Sequence, residues 1–187
     1  MISKAIQFAT VAHQNQYRKV TDDTKEPKKA YILHPLEVGI IVSQILYDEE
    51  IICAAILHDT VEDAKVSFES IGKIFSPRVL KFVESQSEDK YRTWQERKDH
   101  TVAFLKQNTT EREIKIITLA DKLSNIRAIK RDLDNPDIGI GVWDRFNEKN
   151  SKLQGNYYMG IVEGLSDLCD IPEYKEFAKI VLEVFGN

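Results

Sequence analysis

The chain has 187 residues, 42 % hydrophobic and 30 % charged, with Lys plus Arg at 26, Asp plus Glu at 30 and a formal net charge of −4. That mix is globular and large enough to bury a core, which excludes intrinsic disorder, and 8 Gly with 5 Pro exclude a collagen-like or low-complexity chain. The N-terminus MISKAIQFATVAH is too polar for a secretory signal, and no apolar run reaches the ~18 residues of a membrane span. Mild acidity speaks against non-specific nucleic-acid binding, but leaves room for a small anionic substrate on a local basic patch.

The pattern along the chain is helical. Ile2, Ala5, Ile6, Ala9 and Ala12 recur at helical spacing and predict a helix over 2–17. Pro35 suits the first position of a second helix running to about Tyr47, with His34 as its N-cap. Asp48 can cap a third, whose apolar residues are Ile51, Ile52, Ala55 and Ile56. Further helices are expected over 68–75, 78–86 and 92–107. A capping-box pattern at Thr110 and Glu113 opens another, which carries Ile114, Ile117 and Leu119. The segment 114–119 is apolar enough for a short buried strand, but its cap favours helix. The last two helices are expected over 151–168 and 173–185.

Hairpin signals, repeats and Gly/Ser linkers are missing. Two loops stand out: 18–30, which carries Arg18, Lys19, Lys25, Lys28 and Lys29, and 132–142, DLDNPDIGIGV, with turn chemistry. Cys53 and Cys169 sit among apolar residues and do not form a disulfide framework. The expected protein is all-α, one domain over 1–187, soluble and cytoplasmic.

The sharpest chemical feature is His58-Asp59-Thr60-Val61-Glu62-Asp63 at the end of an apolar helix. Glu62 follows His58 by four residues and Asp63 follows Asp59 by four, the spacing of neighbouring turns on one helix face. Ionisable groups on the end of a buried helix are costly unless compensated, and a divalent cation would compensate. The plain alternative is a solvated helix end with a hydrogen-bonded core histidine. Two further segments bear on the choice. Tyr31-Ile32-Leu33-His34-Pro35 offers a second imidazole, and Leu119-Ala120-Asp121-Lys122-Leu123-Ser124-Asn125 puts a carboxylate on a long apolar helix. Asp121 could instead be an ion-pair partner, with Lys122 the nearest candidate. Together His34, His58, Asp59 and Asp121 offer two nitrogens and two carboxylates, a set that suits Mn²⁺, Fe²⁺ or Zn²⁺ with positions left for water.

The order His34, His58-Asp59, Asp121 resembles the HD superfamily of metal-dependent phosphohydrolases. HDTVED with LADKLSNIR downstream is similar, more narrowly, to the hydrolase domain of RelA/SpoT homologues. AHQNQYRK, YILHP, WQERK and WDRFN extend the likeness to the stand-alone small alarmone hydrolases. The resemblance implies an HD-type helical bundle with no room for a synthetase domain. It makes His34, His58, Asp59 and Asp121 the ligands of a metal, usually Mn²⁺. It makes Glu62 and Asp63 the acidic pair that organises the attacking water. Arg18 and Lys19 match the basic pair that frames the base, and Asn125 the asparagine near ribose and phosphate. Lys122, Lys90, Arg145 and Tyr157 complete the substrate-binding candidates. The implied reaction is hydrolysis of the 3′-pyrophosphate of (p)ppGpp to GDP or GTP plus pyrophosphate.

The chain departs from the family in two places. VTDDTKEPKKA replaces a shorter, glycine-containing link, and EKNSKLQGNYY replaces a Lys-then-Trp-Tyr-Tyr pattern, leaving Lys149 and Lys152 either near the phosphates or on a solvated face. The first departure keeps a second substrate reading open: (p)ppApp, or NADPH cleaved at its 2′-phosphate. A third reading, a non-catalytic nucleotide-binding HD module, has no need of Glu62 and Asp63. An antitoxin role against an alarmone synthetase and a homo-oligomeric state are both compatible with the sequence. His13 is expected to hydrogen-bond in the core, His100 to be exposed, and Trp94 and Trp143 to pack rather than stack on a base. Lys90, Arg92, Arg97 and Lys98 read either as a phosphate-facing patch or as a wet helix face.

Overall fold

A computed structural model describes residues 1–19 and 28–186. The described residues are helical apart from turns and an isolated bridge between Tyr17 and Ala30. The fold is all-α. They divide into two compact units, the first comprising 1–18, 29–89 and 111–121, the second the described residues 19, 28, 90–110 and 122–186.

The first unit contains α1 (Ile2–Ala12), α2 (Leu33–Ile45), α3 (Glu49–Leu57), α4 (Phe68–Gly72) and α5 (Pro77–Ser85). Its centre is α3, whose residues Ile51 through Leu57 are all buried, so the helix is apolar all round. Asp48 starts it by accepting from the Glu50 and Ile51 N–H groups, and Glu49 and Glu50 suit the positive end of its dipole. α1, α2 and α5 pack on it. Gly39 of α2 permits the closest approach: a Cβ there would lie 2.6 Å from Ile56 Cγ1.

The second unit contains α6 (Trp94–Leu105), α8 (Ser151–Gly164), α9 (Pro172–Phe185) and a 3₁₀ turn over Gly139–Arg145. Thr93 and Glu96 form a reciprocal capping box that opens α6. α8 packs on both α6 and α9. The long α7 (Arg112–Asp134) runs through the chain from the first unit's last segment into the second's. Ile114, Ile117, Leu119, Leu123 and Ile126 are its buried stripe.

Several expected boundaries move. α1 ends at Ala12 rather than 17, because Asn15 adopts a left-handed φ of 64° and the chain then turns to pair Tyr17 with Ala30. Ile6, expected on the buried face, is 36 % exposed. α2 begins at Leu33, so His34 lies inside its first turn and is not the N-cap; Pro35 is tolerated there because first-turn N–H groups have no helical partner. Thr110 does not cap α7: its hydroxyl donates to the Phe104 carbonyl at 2.5 Å, and the helix starts at Arg112. Residues 139–145 form a 3₁₀ turn where only loop was expected from 132–142. Cys53 is buried, and Cys169 is exposed despite its apolar neighbours. Most of loop 18–30, including Lys25, lies outside the described residues.

Candidate active site

The first unit gathers the histidines and aspartates of three separated segments. His34 comes from the first turn of α2, His58 and Asp59 from the turn that follows α3, and Asp121 from α7. His34 Nε2 lies 3.2 Å from Asp121 Oδ1 and 3.5 Å from Asp59 Oδ2. His58 Nε2 lies 3.1 Å from Asp59 Oδ2 and 3.8 Å from Asp121 Oδ1. The two imidazoles meet edge to face at 5.3 Å. HDTVED is thus not on the helix proper, because α3 stops at Leu57. Its helical spacing survives in the bonds Asp63 N to Asp59 O at 2.9 Å and Ala64 N to Thr60 O at 3.2 Å. The buried Thr60 hydroxyl donates to the Leu57 carbonyl and pins the turn.

These groups fit a divalent cation. Ligand atoms of His34, His58 and Asp121 all lie within 4.8 Å of one another, and bonds of ~2.0–2.2 Å need donors roughly 3–4 Å apart. His58 Nδ1 donates to the Ala55 carbonyl at 2.7 Å, which leaves Nε2 as the ring's lone-pair nitrogen. In the neutral ring that Nε2 is a buried lone pair with no donor beside it. An orphaned imidazole nitrogen aimed at two carboxylates is what a metal would satisfy.

The electrostatics run the same way. Burial dominates at His34 and lowers its pKa, although Asp121 pulls upward. At His58 burial also opposes the charge, but Asp59 and Asp121 outweigh it and hold the ring up to about 9. Burial would raise Asp59, yet the two imidazoles hold it below the usual carboxylate range.

The acidic pair follows on the same turn, and Asp63 is joined to the cluster through Tyr31. Glu62 Oε1 accepts the Glu88 N–H, and Asp63 is exposed with Oδ2 2.6 Å from the Tyr31 hydroxyl. Tyr31 was not singled out by sequence reasoning. Its hydroxyl also lies 2.7 Å from Asp59 Oδ2. Burial, then the charges of Asp59 and Asp63, push its pKa far above the ordinary phenol range, so it stays a donor. His13 is buried and bonded to Gln16, and Gln16 donates to the Asp63 carbonyl at 2.8 Å. The only sequence signal for these residues was their place inside AHQNQYRK and YILHP.

Residues 5–139 match the HD domain family. The chain is 35 % identical over 129 residues to a guanosine-3′,5′-bis(diphosphate) 3′-pyrophosphohydrolase of Drosophila melanogaster, covering 68 % of each chain. The chain belongs to the HD domain family. The corresponding Xenopus tropicalis protein is 38 % identical over 133 residues, covering 70 % of each chain. The solved structure of a metazoan ortholog of SpoT, described as hydrolysing ppGpp, superposes with a TM-score of 0.73 at 28 % identity, over 99 % of this HD chain and 93 % of that one, and that of lmo0812 from Listeria monocytogenes with a TM-score of 0.74 at 33 % identity, over 82 % of this chain and 99 % of that one. Within the HD family the likeness is to small alarmone hydrolases.

The other substrate-binding candidates are placed as follows. Arg18 is half-buried, with its guanidinium carbon 5.9 Å from the centre of the Tyr31 ring. In the second unit, Lys19 donates to Asn147 at 3.1 Å. Asn125 lies on α7 one turn beyond Asp121, and Lys90 is exposed. Lys122 and Lys98 lie 5.8 Å and 5.0 Å from the ring centre of Tyr157, whose buried hydroxyl has no hydrogen-bond partner. Arg145 is taken up by a buried ion pair with Asp132. Lys149 is exposed beside Asp144, Lys152 is exposed, and so is His100. Trp94 packs edge-on against Tyr157, and Trp143 against Phe146 and Phe185. Among the described residues no helix is long and apolar enough to cross a membrane.

Proposed function

We propose that this chain hydrolyses the 3′-pyrophosphate of (p)ppGpp to GDP or GTP plus pyrophosphate, and so degrades the stringent-response alarmone. The observation that carries the reading is the buried convergence of His34, His58 and Asp121 with Asp59 in a member of the HD family. These side chains hold the metal, and Mn²⁺ is the cation that the family resemblance favours. When bound, such a cation lowers the pKa of a water and shields phosphate charge.

The chain's own residues supply the rest. Glu62 and Asp63 hold the attacking water in line and accept its proton as the water oxygen bonds to phosphorus. The phosphorus–O3′ bond breaks, and the 3′ oxygen leaves as a hydroxyl after taking up a proton. Arg18 and Lys19 frame the base, and Asn125, Lys122, Lys90 and Tyr157 serve the ribose and phosphates. Chain 1–187 acts as one hydrolase domain, in the cytoplasm, where the nucleotide is. Alarmone removal fits it to act as an antitoxin against an alarmone synthetase, and nothing in the chemistry requires a homo-oligomer.

A second reading keeps the same site and changes the substrate to (p)ppApp or NADPH. It is favoured by the glycine-free loop VTDDTKEPKKA, which follows the basic pair. Turnover with Mn²⁺ on ppGpp, pppGpp, ppApp and NADPH, with product identification, decides between them. No turnover of any nucleotide by the Mn²⁺-loaded protein would leave only a regulatory binding module.

A further inference from the structure

We propose that Tyr31 is a positioning residue that ties the acidic residue Asp63 to the metal-site residue Asp59 through one shared hydroxyl. This inference rests on the functional reading given above and deepens it. The hydroxyl lies 2.7 Å from Asp59 Oδ2 and 2.6 Å from Asp63 Oδ2. A phenol carries a single proton, which the two carboxylate oxygens share, so the hydroxyl sits between Asp59 and Asp63 and serves either one. Charge-assisted hydrogen bonds of this kind are short and strong.

Asp63 is exposed, and an exposed carboxylate left alone samples several rotamers. Here it is held twice: its side chain by Tyr31, and its backbone carbonyl by Gln16 Nε2 at 2.8 Å. Both holders are themselves seated. The Tyr31 N–H donates to the Gln16 carbonyl at 2.9 Å, and the antiparallel pair Tyr17–Ala30 fixes the two strands of chain that carry them. His13 Nδ1 donates to Gln16 Oε1 at 2.8 Å, since that amide oxygen can only accept. The His13 ring also packs on the Tyr31 ring at 4.9 Å. The clasp thus links the position of the first unit's metal-site turn to Asp63 through protein hydrogen bonds. Outer partners of this type orient the groups they touch, and their loss costs ~10–100-fold in metal affinity or activity.

The test is Tyr31→Phe, which removes the hydroxyl and keeps the ring on His13. Expected results are a kcat lower by ~10–100-fold at saturating Mn²⁺, a KM for ppGpp within about threefold of wild type, and a Mn²⁺ Kd raised by about tenfold in calorimetry without nucleotide. In an Asp63→Asn background the kcat loss from Tyr31→Phe should vanish, because both changes then act on one interaction. Wild-type kcat and Mn²⁺ affinity in Tyr31→Phe overturn the proposal, and so does a kcat loss that persists undiminished in the Asp63→Asn background. If the wild-type protein does not turn over ppGpp, the functional reading fails instead, and the calorimetric Mn²⁺ Kd still decides the role of Tyr31 toward Asp59. Circular dichroism of both variants separates either result from misfolding.

Discussion

The 2.7 Å hydrogen bond from His58 Nδ1 to the Ala55 carbonyl decides which nitrogen of the ring faces the aspartates. The acceptor is the backbone of the last turn of α3, one helical turn back, so the rotation of the ring is set by the helix itself. With Nδ1 committed as a donor, the neutral ring offers its Nε2 lone pair to the space shared with His34, Asp59 and Asp121. In the metal-free protein the same Nε2 takes a proton, because Asp59 and Asp121 favour the charge.

Metal binding should therefore depend on pH through His58. Its pKa in the fold is about 9, above the ordinary 6.5, so a cation must displace a proton at neutral pH. Apparent Mn²⁺ affinity should rise with pH across 7–9 and level off above about 9. The sign for the metal-free fold is the reverse. Stability from the raised pKa is fully present below 6.5 and is lost as pH rises through about 9. Calorimetric Mn²⁺ titrations, and melting of chelated protein, each at several pH values, measure the two slopes. A flat affinity across this range would show that His58 carries no competing proton.

Asp121→Asn keeps the shape of the side chain and removes its charge beside both imidazoles. Metal affinity should fall by at least the ~10–100-fold that a lost outer-shell partner costs. The melting temperature should lose most of its response to added Mn²⁺, since that response follows from preferential binding to the native state. Metal content after dialysis and melting with and without chelator are the measurements. Full occupancy at unchanged affinity removes Asp121 from the ligand set.

Glu62→Gln should lower kcat by ~10²–10⁴-fold with little change in KM, the pattern of a group that acts on the proton in the transition state. Its amide also replaces an acceptor of the Glu88 N–H, so the turn should survive through the remaining carbonyl oxygen. Steady-state kinetics at saturating Mn²⁺ read the split. Wild-type turnover in this variant would assign the proton to Asp63 alone.

The parts of this molecule written in local spacing were legible in its sequence. Asp48 before an apolar run predicted α3, and the run proved buried from Ile51 to Leu57. The separated segments holding His34, His58-Asp59 and Asp121 were picked out together because ionisable groups on apolar helices need a common reason. What stayed hidden depends on contacts distant in sequence or on backbone conformation. The left-handed turn at Asn15 ends α1 early, although its apolar spacing runs on. Thr110 had the residue type of a cap, but the Phe104 carbonyl took its hydroxyl first. Tyr31 read as an ordinary aromatic in a motif, since its two carboxylate partners lie 28 and 32 residues away.

Arg145, one of the substrate-binding candidates, also has a partner within the fold. Its guanidinium is paired with Asp132, and their side chains are only 11 % and 9 % exposed. Breaking a buried pair by removing one member leaves an uncompensated charge and costs ~3–5 kcal/mol. Arg145→Met should therefore lower stability by about that amount, while KM for ppGpp moves little in protein that remains folded. Urea unfolding and kinetics below the transition measure both. A large KM increase without loss of stability would return Arg145 to the substrate.

The last prediction concerns which base is accepted. The metal-site and acidic residues act at the phosphate end, which guanosine and adenosine alarmones share, so discrimination must come from groups that touch the base. Arg18 is the candidate in the first unit. It leaves the clasp formed by Tyr17 and Ala30, its N–H donates to the Lys29 carbonyl at 2.9 Å, and its guanidinium lies 5.9 Å from the Tyr31 ring centre. A planar guanidinium can both stack on a purine and donate to its edge, which an ammonium does less well. The plain alternative, Arg18 paired with the nearby Asp22 or Asp23 in a loop that only closes the surface, falls on residues outside the described ones. A lost hydrogen bond that leaves a buried group unpaired costs ~1–3 kcal/mol, so Arg18→Ala should raise KM for ppGpp roughly 5–150-fold. It should lower kcat far less and narrow the gap between ppGpp and ppApp. Parallel kinetics of wild type and variant on both nucleotides provide the measurement. If KM is unchanged for both, Arg18 only closes the surface, and base choice is made by other residues.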